Sequence, residues 1–307
     1  MTAPPIEVHQ QATLAQAIDH RDVCWEDVRW TAYFIHQQFR YEYQGPISDL
    51  RHRLVIIPPE RHGSQRLVTQ RLEISSPTTE VRREIDQFGN LVVSLSADHV
   101  AQGITFTAWI MTERDVTAGP IPVTRQCYES NLLREFSRLT EPDDALRAAA
   151  AALGPAASDR ELADRICAWV YEYMTYREGA TDVSTTAAEA CRRREGVCQD
   201  YAHIMLALCR LRGLAARYVS GHLLGEGGTH AWVEVLLPDP RQPNCFIAQP
   251  LDPTHDRIPG ASYLTVATGR DYGDVAPTSG AYRGSHSGQL FTSKRAGVTA
   301  VEYFERT

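Results

Sequence analysis

The sequence has no run of about 18 consecutive apolar residues, which is the length that a membrane-spanning helix needs. Residues 1–21 lack a cationic stretch followed by an apolar segment, so we expect no secretory signal there. No CxxC pair is present, and the seven cysteines are an odd number that cannot all form disulfides. Because reduced thiols are typical of the cytoplasm, we expect a cytoplasmic protein without a membrane segment.

The sequence also lacks an excess of basic residues. Its 31 Lys and Arg residues against 38 Asp and Glu residues give a formal net charge of -7. Binding of nucleic-acid phosphates needs a surface rich in Lys and Arg, so we expect no nucleic-acid partner. The 307 residues, 43% of them hydrophobic, suffice for about two domains with their own cores.

The composition changes near residue 120, at Gly119-Pro120-Ile121-Pro122. Before this point, short runs rich in β-branched and aromatic residues are separated by turns, and Gly89-Asn90 indicates a hairpin. After it, helical patterns follow, and one of them has an N-cap at Ser158. The sequence therefore predicts an α+β fold in three parts: an N-terminal segment (1–30), a β-sandwich domain (31–118) and a domain of helices and a sheet (119–307).

Cys198 lies at the start of a predicted helix. The segment GVCQDYAH, residues 196–203, leads into an apolar face that ends at Leu211, and Gly213 supplies the stop. The unpaired N–H groups and the positive dipole end of a first helical turn stabilise a thiolate. A cysteine in this place can equally be a small buried apolar residue, so its position alone leaves the role of Cys198 open.

Two predicted strands bring a histidine and an aspartate into range of each other. The segment THAWVEVLL (229–237) alternates from His230 onwards, and CFIAQPL (245–251) leads to Asp252. If Leu237 pairs with Cys245 in an antiparallel hairpin, His230 lies opposite Asp252 on one face. A shift of two residues keeps them on the same face, whereas a slip of one separates them.

The three residues suit nucleophilic catalysis by a thiol. Cys198 would attack, His230 would accept its proton and return it to a leaving group, and Asp252 would fix the imidazole tautomer. Backbone N–H groups at the helix start, beginning with that of Cys198, would bind the developing oxyanion.

Four blocks of the sequence resemble the core of the transglutaminase-like superfamily: GVCQDYAH, ARYVSG, THAWVEV and LDPTH, within about residues 185–255. The stretch GRDYGDVAPTSGAYRG (269–284) is similar to the tail of its bacterial branch, and the region before residue 115, with FGN at 88–90, is similar to the N-terminal β domain of that branch. The resemblance implies a papain-like core, with helices packed on an antiparallel sheet, and a catalytic triad of Cys198, His230 and Asp252. The bacterial branch usually has a tryptophan shortly before its aspartate, whereas residues 246–251 contain none.

Four neighbours of the triad are candidate supporting residues: Gln199, Asp200, His203 and Trp232. The first two follow the nucleophile within the matched motif, and an acidic residue there also suits the helix dipole. His203 is five positions after the cysteine and should point away from it, into the core. Trp232 shares a strand face with the histidine, where it either flanks the acyl site or packs in the core.

We expect no metal and no cofactor. His222 and His255 lie near the predicted cleft, but the sequence has neither an HExxH motif nor a close Cys/His spacing.

The triad and the resemblance predict a thiol-dependent amide hydrolase, a cysteine peptidase or amidase, that forms a thioester with a peptide or amide substrate. An acyltransferase that passes the acyl group to an amine uses the same thioester, so the sequence leaves both activities open. A third alternative is a non-catalytic scaffold that binds a partner protein through the β domain.

Overall fold

Two sheets form a β-sandwich in the described part of the chain, which comprises residues 17–76, 80–226 and 229–305 of a computed structural model. The five-stranded sheet has the order β16 (Gly288–Tyr303), β1 (Val28–Tyr43), β7 (Gly103–Asp115), β4 (Gln65–Ile74) and β3 (Arg61–His62). The four-stranded sheet has the order β15 (Thr278–Arg283), β2 (Ile47–Ile57), β6 (Leu91–Val100) and β5 (Glu80–Ile85). Alternate apolar residues of both sheets, among them Phe39, Leu54 and Phe106, meet in one core.

A third, antiparallel sheet carries the second half of the fold. Its order is β14 (Tyr263–Gly269), β11 (Ala216–Leu223), β12 (His230–Pro238), β13 (Phe246–Leu251) and β8 (Ile121–Val123). A short parallel ladder joins β9 (Thr175–Tyr176) to β10 (Glu195–Gly196).

Six α-helices accompany these strands in the described residues: α1 (Arg125–Glu129), α2 (Asp144–Ala152), α3 (Asp159–Tyr173), α4 (Ala187–Arg193), α5 (Cys198–Leu211) and α6 (Tyr272–Val275). The same part of the chain contains four 3₁₀ turns, at His20–Asp22, Trp25–Asp27, Val116–Ala118 and Asn131–Leu133. None of the helices in the described ranges is long and apolar enough to cross a bilayer.

Helix α5 is the central helix of the second half. It packs on β12, where Val233 and Val235 share a core with Ile204 and Leu208 of the helix. The alternation predicted for this strand is confirmed, because Trp232 lies in a separate apolar cluster on the opposite face. The predicted α+β class, a β-sandwich followed by helices on an antiparallel sheet, is likewise confirmed.

Side-chain amides of the sandwich form hydrogen bonds with the backbone N–H and C=O groups at the outer edge of β14. Gln65 donates to the carbonyl of Thr265 at 2.7 Å and accepts from its N–H at 2.9 Å. Asn90, the last residue of the FGN segment, does the same with the carbonyl of Thr268 at 2.7 Å and its N–H at 2.8 Å. An unpaired sheet edge can pair with strands of other molecules, and these amides prevent this by binding its backbone groups. The same hydrogen bonds join the two halves of the fold.

A buried ion cluster also joins the two halves. The Glu234 carboxylate on β12 is fully buried, lies 2.7 Å from His62 Nε2 of the sandwich and accepts from Arg217 Nε at 2.7 Å. Burial alone would raise the pKa of Glu234, but the charges and hydrogen bonds of His62 and Arg217 lower it to about 2.

The chain returns to the sandwich after the second half is complete. β15 pairs with β2, and β16 pairs with β1 over its whole length, so both sandwich sheets need residues from each end of the chain. The predicted division places these two strands in the domain 119–307. Local pattern does not reveal this pairing, since it depends on a contact between residues more than 200 positions apart.

Candidate active site

Cys198 is the first residue of α5, as the sequence predicts. Asp200 fixes this helix start, because its Oδ2 accepts from the N–H of Val197 at 2.8 Å and from the hydroxyl of Thr181 at 2.6 Å. Gly196 makes room for this carboxylate: a Cβ there would lie 2.5 Å from Asp200 Oδ2. The glycine and the aspartate of the GVCQD segment are therefore needed to form the start of the helix. The backbone N–H of Cys198, in this first turn, has no intrahelical acceptor.

His230 is the first residue of β12, and its Nε2 lies 2.8 Å from Asp252 Oδ2. The predicted strand register is wrong by two residues, since Leu237 pairs with Ile247 rather than with Cys245. Pro238 pairs with Phe246, and the N–H of Asp239 donates to the carbonyl of Cys245 at 2.8 Å, so the middle of the connection lies one residue further along the chain than expected. A shift of two preserves the face, so the contact between His230 and Asp252 survives as a diagonal one.

Asp252 is the buried centre of a hydrogen-bond network. Its Oδ2 accepts from His230 Nε2 and His255 Nδ1, both at 2.8 Å, and from the Tyr263 hydroxyl at 2.6 Å. Its Oδ1 accepts from the N–H of Thr254 at 2.9 Å. Burial alone would raise the pKa of Asp252, but the hydrogen bonds and the charge of His230 lower it below the usual range. An ionised carboxylate only accepts, so both histidine nitrogens that face it carry a proton.

The second ring nitrogen of His230 is the one available for chemistry. With Nε2 engaged by Asp252, Nδ1 makes no well-formed hydrogen bond, although Glu226 Oε2 lies 3.2 Å away. Burial alone would lower the pKa of His230, but contacts with Asp252, Cys198 and Glu226 raise it above its ordinary value. The imidazole thus lies between a buried carboxylate and the thiol, and it can hold a proton there.

A cavity of about 840 Å³ opens beside these groups. Cys198, Gln199, His230 and His255 all line it, whereas Asp252 lies beneath the imidazole. The cavity is large enough for a short peptide segment or an amide side chain.

The other predicted supporting residues take structural positions. Trp232 is buried, stacks on the His230 ring with centroids 6.2 Å apart and does not line the cavity. His203 is fully buried and accepts from the N–H of Tyr272 at 3.2 Å, and burial lowers the pKa of this histidine to about 4. Asp200 is buried behind Cys198, where it holds the helix start.

His230, Asp252 and His255 place potential metal-ligating atoms within 4.8 Å of one another. Both histidines donate to a single carboxylate oxygen, which accounts for this proximity without an ion. His222 is not part of that group.

Three contributors to the site escape sequence reasoning: Glu226, Tyr263 and the bond from His255 to Asp252. The sequence places the histidine of LDPTH near the predicted cleft, and its spacing of three from the aspartate is a local signal for a shared hydrogen bond. Tyr263 is the first residue of β14, which β11 separates from β12 in the sheet, and it carries no such signal. Arg257 donates to its hydroxyl at 2.6 Å and so orients the hydroxyl hydrogen towards Asp252.

Comparison with protein-family models gives two matches. Residues 147–244 match the transglutaminase-like superfamily, and residues 33–111 match the bacterial transglutaminase-like N-terminal region.

Among known proteins, an uncharacterised protein of Mycobacterium tuberculosis is 31% identical over 277 residues, which cover 81% of this chain and 86% of that protein. An uncharacterised protein of Mycobacterium leprae is 28% identical and covers 74% of this chain and 85% of its own length. The crystal structure of a candidate cysteine protease from Cytophaga hutchinsonii shares the fold, with a TM-score of 0.70 and 22% identity over 90% of this chain and 93% of that one.

Proposed function

Because this chain belongs to the transglutaminase-like superfamily, with the N-terminal region of its bacterial branch, we propose that it is a thiol-dependent amide hydrolase, a cysteine peptidase or amidase. One observation carries the proposal: Cys198 and His230 line the same cavity, while Asp252 holds the far nitrogen of the imidazole. This is the arrangement of nucleophile, base and orienting carboxylate that acyl transfer to a thiol requires.

The reaction would proceed in two halves. The Cys198 thiol gives its proton to His230 Nδ1, and the sulfur forms a bond to the amide carbonyl carbon. The first N–H groups of α5 stabilise the negative charge on the carbonyl oxygen. The C–N bond breaks as His230 returns the proton to the departing amine, which leaves a thioester. Water, deprotonated by the same histidine, then cleaves the thioester and releases the carboxylic acid.

Acyl transfer to an amine is the alternative, since it differs only in what attacks the thioester. Incubation with a mixed library of peptides and amides, with and without an added primary amine, separates the two activities by mass spectrometry. We expect products that have gained water, and no product from the Cys198→Ala variant. Amine adducts as the main product would support the acyltransferase instead.

The non-catalytic scaffold is less well supported, because side chains do not fill the cavity beside Cys198. A library with no product from the intact protein would favour that alternative. We keep a partner protein on the β domain and a cytoplasmic location as proposals, the latter in keeping with seven cysteines that are all free thiols.

Alkylation rates give a second, independent test. We expect iodoacetamide at pH 7 to modify Cys198 at least about tenfold faster than Cys24 and Cys245, although those two are more exposed, because an ordinary thiol is only a few per cent ionised there. The three buried thiols should react last, since burial raises the pKa of Cys167, Cys191 and Cys209.

Peptide mapping by mass spectrometry after timed quenching measures these rates. The matched control is His230→Ala, in which Cys198 should react no faster than Cys24. Equal rates at Cys198 and Cys24 in the unaltered protein would contradict a thiol activated by the histidine.

A further inference from the structure

The cavity beside Cys198 is lined by aromatic rings and carboxylates, with no lysine or arginine among the described residues that line it. The aromatic lining consists of Tyr171, Tyr176, Tyr218 and Tyr272, and the carboxylates are Glu178 and Glu226. Carboxylates in a cleft with low-dielectric walls concentrate positively charged ligands there.

Part of this lining is apolar surface that a folded protein normally buries. Tyr171 is 47% exposed, Tyr176 is 49% exposed and Val183 is 59% exposed, and all three lie at this one cavity. Clustered exposed side chains of this kind mark surfaces that a ligand covers. The tyrosine faces also attract ammonium and guanidinium groups through their ring quadrupole.

The two carboxylates lie at different places in the cavity. Glu226 is beside the imidazoles, with Oε2 at 3.2 Å from His230 Nδ1 and Oε1 at 3.1 Å from His255 Nε2. The contact with His230 lowers the pKa of Glu226, so this carboxylate is ionised at neutral pH. Glu178 is exposed and has no ion-pair partner within the described residues, which leaves its charge available to a ligand.

We propose that the cleft selects a substrate with a cationic side chain, an ammonium or guanidinium group, within two residues of the amide bond that is cleaved, and that Glu178 and Glu226 recognise this charge. The inference rests on the proposed function, since it names the substrate class of the same site. The aliphatic part of a lysine or arginine side chain would lie against the tyrosines while its charge meets the carboxylates. An acidic side chain at the same place would be repelled, which gives selectivity in both directions.

Peptide probes with a thiol-reactive vinyl sulfone test this inference. In the first pair of probes, the residue next to the reactive group is arginine in one probe and its neutral isostere citrulline in the other. In the second pair, the same exchange is made one residue further from the reactive group. We expect Cys198 to be labelled about tenfold faster by the arginine probe of at least one pair, the size given by two partly exposed ion pairs and a ring contact. The preference should shrink at high ionic strength, because exposed charges are screened.

The variants are compared by the ratio of the two labelling rates, because Glu226 also touches His230 and its replacement changes the reactivity of both probes alike. In the double variant Glu178→Gln/Glu226→Gln the ratio should fall below about twofold, and Glu178→Gln alone should lower it in part. Glu84→Gln, at an exposed position in β5 of the sandwich, is the matched control and should keep the full ratio.

The outcomes separate this inference from the proposed function. Equal labelling by arginine and citrulline probes, or a preference that persists in the double variant, overturns the charge selection and leaves the hydrolase intact. No labelling of Cys198 by any probe in the folded protein, with normal labelling after denaturation, overturns both.

Discussion

Asp252→Asn is expected to lower kcat for amide cleavage by about 10⁴-fold, the size found when a triad carboxylate loses its charge. The aspartate accepts three hydrogen bonds at Oδ2 and one at Oδ1. If the new amide NH₂ replaced Oδ2, it would face three donors. His230 would then have to accept at Nε2 and carry its proton on Nδ1, which is the wrong tautomer to take a proton from Cys198. If the amide turned over, its NH₂ would face the N–H of Thr254 instead.

Steady-state kinetics and urea unfolding on the same preparations check this result. Asp256→Asn is the matched control, because Asp256 is exposed four positions further on and has a φ of 47°, which asparagine tolerates. We expect its kcat to be unchanged. A folded Asp252→Asn protein within tenfold of the original rate would remove the aspartate from the mechanism.

Glu234→Gln is expected to reduce the free energy of unfolding at pH 7 by about 3 kcal/mol, because breaking a buried ion pair leaves its partners without compensation. The glutamate is fully buried and holds His62 of the sandwich and Arg217 of the third sheet. A neutral amide offers one acceptor oxygen where two charged groups now bind. The lost stability should come from the contact between the two halves of the fold.

The pH dependence of this stability has a definite direction. Since the pKa of Glu234 is lowered from 4.5 to about 2, its contribution is fully present above about pH 4.5 and is lost as the pH falls towards 2. Urea unfolding of the original protein and of Glu234→Gln should therefore differ most at neutral pH and converge in acid. Glu80→Gln, which disrupts an exposed pair with Arg82, serves as the control and should cost less than about 1 kcal/mol. A difference between Glu234→Gln and the original protein that stays constant down to pH 3 would contradict this origin of the stability.

Local patterns predicted the elements that carry the candidate site. The start of α5 at Cys198 follows from an apolar helical face and a glycine stop, and the start of β12 at His230 follows from strict alternation. Both are properties of neighbouring residues, so periodicity is enough to find them. The strand register was wrong by two residues because alternation determines which face each side chain takes but not which residues pair, and a shift of two leaves every face unchanged.

Other parts of the site depend on residues that no local pattern connects. Tyr263 reaches Asp252 from a separate strand, and Glu226 reaches both histidines from a connecting loop. The glutamine and asparagine that satisfy the β14 edge come from the sandwich, about 180 to 200 residues earlier in the chain. Such contacts are favourable only when the backbone is already folded, so composition and spacing carry no trace of them.

The sequence by itself determined the α+β class, the family, and the helix and strand starts that present Cys198 and His230, because each of these is encoded within a few consecutive turns or alternations. The tertiary structure alone decided how the two ends of the chain share the sandwich and which groups surround Asp252. It also decided that the cleft beside the thiol has carboxylates and tyrosines but no described lysine or arginine in its lining. Those properties arise from the burial and pairing of side chains distant in sequence, which only the folded chain brings together.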